Sequence, residues 1–318
     1  MLVAGARDEQ HLQLSRELDL RSVLVVPLTA RGRSLGVITM LRTGSSRVYT
    51  PADLAIAEDL GRRAGIAVDN ARLHGQTVNV ALQLQRAVLP DDLSAIPGWT
   101  IATHYSPSDN AEVGGDFYDA ILLPNGQLAV YIGDVMGHGL QAAAAMAQMC
   151  ASIRAFLTID PAPHAVMSRL DVMFDRLGLT QLVTLFSGCL DAQGGQLSYV
   201  NAGHYPPLLV ARVGEVRFVE SDPQRPLGAG ADRRSVTVSV RAGDDSLLLY
   251  TDGLVERRGE HIDLGLDQLR RRATGLASGP LEASLEKLVA DMRETDGVDD
   301  VTAMAVRADP CRDLPSST

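Results

Sequence analysis

The sequence predicts an α+β fold made of antiparallel strands in layers, with helices kept apart in pairs. From about Trp99 onward, ten short runs rich in β-branched or aromatic residues are bounded by Gly, Pro, Asn or Asp, as expected of strands. Helical patterns occur in two blocks, about 140–157 with 162–177 and about 264–273 with 281–293. Because helices do not alternate with single strands, the order favours layered antiparallel sheets over a βαβ arrangement.

A separate segment precedes this region. Residues 22–29 and 35–42 are strand-like runs joined by a polar turn, which predicts an antiparallel hairpin. Thr50 and Pro51 then suit the cap and first turn of a helix. Apolar residues at helical spacing continue to Pro90, so we expect the helical stretch to end near residue 89 and to be interrupted at Gly75.

The composition excludes several functional classes. The chain has 318 residues, 46% of them hydrophobic, which is enough for about two domains with substantial cores. Its net charge of −10 and its lack of clustered Lys and Arg argue against nucleic-acid binding. Cys150, Cys189 and Cys311 have neither disulfide nor metal-ligand spacing, which fits a reducing cytoplasm. We found neither a membrane span nor a signal-peptide pattern, so the sequence predicts a cytosolic protein.

Four acidic motifs follow predicted strands and point to one shared site. They are GGDFYD (114–119), GDVMGHG (133–139), YTDG (250–253) and DGVDD (296–300). Carboxylates gathered at strand ends repel each other unless cations neutralise them, and oxygen ligands without cysteine suit hard ions such as Mg²⁺ or Mn²⁺. The pattern therefore indicates a metal site and phosphate chemistry.

The motif order GGDFYD, GDVMGHG, YVNAGHYPPLLV, PLG, LLLYTDG and DDVT resembles the metal-dependent PPM serine/threonine phosphatases, in the bacterial branch that includes SpoIIE and RsbU. The resemblance covers about residues 80–307. It implies a sandwich of two antiparallel sheets flanked by helix pairs, with two Mg²⁺ or Mn²⁺ ions at one end. It also implies hydrolysis of phosphoserine or phosphothreonine on a partner protein, typically an anti-sigma factor antagonist, although no residue here names that partner.

The same resemblance assigns the metal ligands. It implies that Asp134 bridges both ions and that the Val135 carbonyl completes the coordination of one of them. Asp116, which follows two glycines, and Asp252, which follows a buried strand, match further acidic ligands. These three aspartates are the candidate catalytic residues.

The motifs contain further candidate site residues. For the last ligand, DDVT offers two aspartates, and alignment with the family's Asp-Asn pair favours Asp299 over Asp300. His138 is a candidate general acid, because its ordinary pKa lies near physiological pH, and Gly115 is a further candidate beside the ligands. His204 resembles a family residue or is a turn histidine held by backbone hydrogen bonds.

Two other residues near the motifs have simpler interpretations. Asp119 lies three residues after Asp116 in a strand and should point to the opposite face, in a supporting or structural role. Asp296 precedes a glycine and fits ordinary turn chemistry.

The N-terminal segment, with VVPL, LGVITM and the helix YTPADLAIAEDLGRRAGIAVDNARL, resembles the second half of a GAF sensor domain over about residues 10–76. We therefore predict a partial sensor segment at 1–76, a linker helix at 77–95, a phosphatase domain at 96–307 and a flexible tail at 308–318. The linker helix is a candidate for homodimer formation. Two alternatives remain open: a phosphatase fold that serves as an inactive regulatory scaffold, and a small-ligand sensor module.

Overall fold

The computed structural model describes residues 9–10, 13, 17–44, 47–106, 114–212, 214–219, 224–229, 233–241, 244–277, 279–293 and 300–309. The chain divides into two compact units, Met1–Thr77 and Val78–Thr318.

The first unit contains the predicted hairpin. Strands β1 (Leu20–Ala30) and β2 (Arg33–Thr43) pair antiparallel, and helix α1 (Pro51–Val88) follows them. Thr50 Oγ1 accepts a hydrogen bond from Asp53 N at 3.3 Å, while the Asp53 carboxylate accepts from Thr50 N at 2.7 Å. This reciprocal pair is a capping box, which confirms the predicted helix start.

The expected interruption at Gly75 is wrong, because α1 runs through this position without a break. A glycine in a helix costs only about 1 kcal/mol relative to alanine, which a long helix tolerates. Gly61 and Gly65 have a different role. A Cβ on Gly61 would lie 2.6 Å from Pro27 O, and one on Gly65 would lie 2.5 Å from Thr29 O. These two glycines therefore let α1 pack directly on the backbone of β1.

The second unit is the predicted sandwich of two antiparallel sheets. One sheet has the order β10-β7-β6-β5-β4 and the other β3-β12-β11-β8-β9. The strands are β3 (Trp99–Ser106), β4 (Asp116–Leu122), β5 (Leu128–Val135), β6 (Val183–Asp191), β7 (Gln196–Ala202), β8 (Leu208–Val210), β9 (Val216–Phe218), β10 (Val236–Ser239), β11 (Ser246–Tyr250) and β12 (Val301–Ala308). The helices are α2 (Gly139–Ile159), α3 (Pro163–Leu177), α4 (Ile262–Arg272) and α5 (Leu281–Met292).

Three apolar layers hold this unit together. One lies between the sheets, one under α2 and α3, and one under α4 and α5. Helix α2 is long and apolar enough to cross a membrane by composition, but residues such as Met146 and Ile153 are fully buried in the layer that it forms with the first sheet. Core packing thus accounts for the apolar residues on the inner face of this helix.

Candidate metal centre

The Asp116 carboxylate lies at the junction of the two sheets. Asp116 is the first residue of β4 and is 3% exposed. Its Oδ2 accepts hydrogen bonds from Thr251 Oγ1 and Thr302 Oγ1, both at 2.7 Å. Since Thr251 follows β11 and Thr302 belongs to β12, the carboxylate of one sheet is fixed by hydroxyls of the other.

Neighbouring carboxylates act on Asp116 electrostatically. Burial raises its pKa well above the ordinary value, and the charges of Asp134 and Asp252 raise the pKa further, against the effect of the two threonine hydrogen bonds. Asp134 is the direct strand partner of Asp116 in the β4–β5 ladder. The structure therefore brings together the three aspartates that the motifs predicted, although Asp252 lies more than one hundred positions from the other two along the chain.

Two glycines make room for this arrangement. A Cβ on Gly115 would overlap the Val135 carbonyl oxygen and would lie 2.8 Å from Asp134 Oδ1. A Cβ on Gly114 would overlap the Asp300 carboxylate. Glycine is required at Gly115, where a side chain would meet the backbone of Val135, whereas a side chain at Gly114 would displace the Asp300 carboxylate.

Asp300 also belongs to this cluster. It is 4% exposed, and the Tyr105 hydroxyl donates to its Oδ2 at 3.5 Å. Burial and the Asp300 charge raise the pKa of Tyr105, with a smaller contribution from Asp116. Gln85 Nε2, in the last turns of α1, donates to the Tyr105 hydroxyl at 2.7 Å. The C-terminal end of α1 thus reaches the acidic cluster through one tyrosine.

The choice between the two aspartates of DDVT stays a prediction. Asp299, which the family pattern favoured, lies outside the described residues, as does Asp296. Within the described ranges, no three His, Cys, Asp or Glu side chains form a complete metal-binding group. The donors that do converge are carboxylate oxygens and one carbonyl, with no sulfur, and this set fits a hard divalent cation.

Asp119 has the structural role expected from strand alternation. Its Oδ2 accepts from Arg154 Nε at 2.8 Å and from the Tyr131 hydroxyl at 3.3 Å. Arg154 Nη2 also donates to Val88 O at 2.8 Å, in the last turn of α1. The buried Asp119 therefore anchors the end of α1 through Arg154, on the face of β4 that points away from the acidic cluster.

The two histidine candidates lie in different environments. His138 is exposed at the start of α2, where its side chain makes no capping hydrogen bond. His204 is buried between the sheets, and its backbone N–H donates to Asn201 Oδ1 at 2.8 Å. The interpretation of His204 as a turn histidine held by hydrogen bonds is confirmed.

Sequence reasoning missed four residues that contact the cluster or its neighbours. Thr251 and Thr302 lie inside the YTDG and DDVT motifs, so their position beside acidic residues was an available signal. Tyr105 and Gln85 carry no such signal, because Gln85 of α1 is linked to Asp300 through hydrogen bonds of the Tyr105 hydroxyl, which local sequence patterns do not contain.

Comparisons with known proteins agree with this architecture. The sequence profile of the family described as Stage II sporulation protein E (SpoIIE) matches residues 124–309, and the GAF domain profile matches residues 1–68. The chain is 27% identical over 257 residues to Protein IcfG of Synechocystis sp., covering 70% of this chain and 40% of that protein. It is 28% identical over 162 residues to the phosphoserine phosphatase RsbP of Bacillus subtilis, covering 49% of this chain and 40% of RsbP. The chain thus spans about two fifths of the length of these relatives.

Solved structures show the same fold. The RsbU and RsbW domains of Rv1364c from Mycobacterium tuberculosis superpose with a TM-score of 0.62 at 31% identity, covering 68% of this chain and 62% of that one. The SiaA-PP2C domain of Pseudomonas aeruginosa gives a TM-score of 0.62 at 24% identity, covering 77% and 100% respectively, and this likeness shows the fold alone. The expected PPM-type sandwich is confirmed. Since the SpoIIE profile matches more than half of the residues and the fold agrees, the chain belongs to the SpoIIE family and carries a GAF segment at its N-terminus.

Proposed function

We propose that this protein is a metal-dependent phosphatase that hydrolyses phosphoserine or phosphothreonine on a partner protein. The observation that carries the proposal is the convergence of Asp116, Asp134 and Asp252 at one end of the sandwich. Burial raises the pKa of Asp116, and the charges of the other two raise it further. The likeness to RsbP, a phosphoserine phosphatase by name, supports the same reaction class.

The acidic cluster would hold the ions. Asp116, Asp134, Asp252 and the Val135 carbonyl, together with Asp299 or Asp300, are the proposed ligands of two Mn²⁺ or Mg²⁺ ions. When bound, such ions supply activation of water at neutral pH and neutralisation of charge on the phosphoryl oxygens. In this proposal the chain needs no covalent nucleophile of its own.

The chain's own residues prepare this chemistry. Thr251 and Thr302 fix one oxygen of Asp116, so the carboxylate keeps its orientation without reorganisation. Gly114 and Gly115 leave the space beside the ligands open. His138, exposed at the start of α2, is the candidate that gives a proton to the leaving seryl or threonyl oxygen.

The partner and the cellular setting are finer parts of the proposal. The likeness to RsbP and to the RsbU domain supports a phosphorylated anti-sigma factor antagonist as substrate. Cys150 and Cys189 are buried free thiols, which is compatible with a cytoplasmic location. We further propose that the N-terminal segment controls the phosphatase through α1, with a homodimer formed along this helix.

A second candidate function is an inactive phosphatase fold that serves as a scaffold. The acidic positions argue against it, since Asp116, Asp134, Asp252 and Asp300 are all present, whereas an inactive relative often loses at least one ligand. A small-ligand sensor at the GAF segment is compatible with either function, and a ligand-dependent melting shift would reveal it.

Phosphate release from a phosphoserine peptide tests the proposal, measured with Mn²⁺, with Mg²⁺ and with EDTA. Asp252→Asn replaces a proposed ligand, and Asp263→Asn is the matched control because its side chain is 78% exposed on α4. We expect metal-dependent release that is lost in Asp252→Asn and kept in Asp263→Asn. A metal-saturated Asp252→Asn protein that works at nearly the wild-type rate would contradict the mechanism.

A further inference from the structure

We propose that His204 is a positioning residue that joins the two sheets directly behind the acidic cluster and thereby sets the affinity of the site for divalent metal ions. This inference rests on the proposed function. It gives a role to His204 of the NAGH motif (201–204), which takes no part in the proposed chemistry.

The imidazole of His204 connects the sheets through both ring nitrogens. Nδ1 lies 2.9 Å from Thr184 Oγ1, on β6 of the first sheet, and Nε2 lies 3.1 Å from Tyr250 O, on β11 of the second sheet. A carbonyl oxygen can only accept, so Nε2 carries the proton and Nδ1 accepts from the Thr184 hydroxyl. The ring is therefore a neutral bridge in one defined tautomer.

The turn that carries His204 is itself fixed. Asn201 Nδ2 donates to His204 O at 2.9 Å, and Asn201 Oδ1 accepts from His204 N at 2.8 Å. Gly203 has a φ of 72°, and a Cβ there would lie 2.7 Å from Pro226, so this position favours glycine on both grounds. Because Asn201 and Gly203 fix the backbone, the imidazole is held in a defined position.

Both ends of the bridge lie next to proposed metal ligands. Thr184 is the direct strand partner of Asp134 in the β5–β6 ladder. Tyr250 is followed by Thr251, which holds Asp116, and then by Asp252. The bridge thus joins β6, the strand next to the ligand-bearing β5 in one sheet, to β11, which Thr251 and Asp252 follow in the other sheet.

The carboxylates create the need for such a bridge. Asp134 is the strand partner of Asp116 in one sheet, and Asp252 follows Thr251, which holds Asp116 from the other sheet. Their repulsion favours separation of the sheets at this end. An uncharged ring opposes that separation without placing a competing positive charge near the proposed cation site, and burial keeps the ring uncharged by lowering the pKa of His204 to about 4.

The test measures Mn²⁺ binding to the full chain by calorimetry, together with the melting temperature in EDTA. His204→Leu removes both hydrogen bonds, and we expect the dissociation constant to rise about 10-fold or more, the scale known for residues that orient metal ligands. His204→Gln keeps one donor and one acceptor and should recover part of the affinity. Thr184→Val removes one of the two hydrogen bonds of the imidazole. If His204→Leu does not fold, the Mn²⁺ affinity of Thr184→Val tests the inference in its place.

Leu197→Ala is the matched control for lost stability. Leu197 is fully buried between the sheets. Its strand partner Leu190 lies near the end of β6, whereas Thr184 lies near the start of that strand, so the control is remote from the bridge. We expect a lower melting temperature with unchanged Mn²⁺ affinity. Equal losses of affinity in His204→Leu and Leu197→Ala would show a merely structural role and overturn the inference.

The other outcomes also separate the two proposals. Wild-type affinity in folded Thr184→Val and His204→Gln proteins overturns the inference while the proposed function stands. Wild-type protein that binds no Mn²⁺ overturns the proposed metal-dependent function, and the inference with it.

Discussion

His204 is one residue through which the stability of the protein should depend on pH. Its pKa in the folded state is lowered to about 4 by burial, against 6.5 ordinarily. Below pH 6.5 the imidazole of His204 binds a proton in the unfolded chain, whereas in the folded chain it does so only near pH 4. The free energy of unfolding therefore falls as the pH drops through this window. We expect this fall to be smaller in His204→Gln. Urea unfolding at pH 7.5, 6 and 5 in EDTA measures it, and parallel curves for the two proteins would refute the assignment.

Single residues also show how far the sequence could predict the site. Asp116, Asp134 and Asp252 were predictable because each stands at the end of a strand-like run inside a recognisable motif. The hydroxyls of Thr251 and Thr302 were not predicted, since their bond to Asp116 joins residues 135 and 186 positions apart. Such contacts depend on the register between sheets, which local sequence patterns do not contain.

Helix α1 contains glycines with opposite requirements. At Gly65, a side chain would meet the backbone of Thr29, whereas nothing lies within 4 Å of the position that a Cβ would take at Gly75. We expect Gly65→Ala to lower the stability of the first unit by forcing helix and strand apart. Gly75→Ala should instead raise helix stability by about 1 kcal/mol. Thermal melting followed by circular dichroism compares the two variants, and a stabilising Gly65→Ala would contradict the close packing.

The end of α1 depends on Arg154 of α2. In Arg154→Met the apolar stem of the side chain is largely kept, but Asp119 loses its charged partner and Val88 O loses a donor. Hydrogen bonds to charged groups contribute about 1.5–3 kcal/mol, and we expect a loss of this size in the free energy of unfolding. Arg270→Met is the control, because its exposed pair with Asp267 should matter by less than about 1 kcal/mol. If urea unfolding shows equal losses of stability in Arg154→Met and Arg270→Met, the hydrogen bonds of Arg154 contribute no more than an exposed ion pair.

The elements themselves were predictable for different reasons. Short strand runs bounded by turn residues defined the sandwich, and each helix pair of the second unit was visible as a separate apolar block. The continuity of α1 was not, because Gly61, Gly65 and Gly75 look alike in sequence while only the first two face a strand. By helix propensity alone, each of the three glycines should destabilise the helix. Tertiary packing is what makes glycine necessary at Gly61 and Gly65 but not at Gly75.

At the scale of the whole molecule, the acidic cluster makes stability depend on metal. Ligands from both sheets converge on it, so a bound divalent ion should hold the two sheets together at this end. Ligand at about 100 times its dissociation constant stabilises a protein by about 2.7 kcal/mol. We therefore expect Mn²⁺ to raise the melting temperature of the wild-type protein and EDTA to reverse the gain.

Asp116→Asn separates this effect from general damage to the fold. The amide oxygen can still accept from Thr251 and Thr302, while the buried charge that repels Asp134 and Asp252 is gone. In EDTA the variant should melt at or above the wild-type temperature, and Mn²⁺ should no longer raise it. Asp263→Asn, which is exposed, should keep the full response to Mn²⁺. If Asp116→Asn melts several degrees lower than the wild-type protein in EDTA, the aspartate stabilises the sandwich without a cation. That result would contradict the idea that carboxylate repulsion favours separation of the sheets until a cation binds.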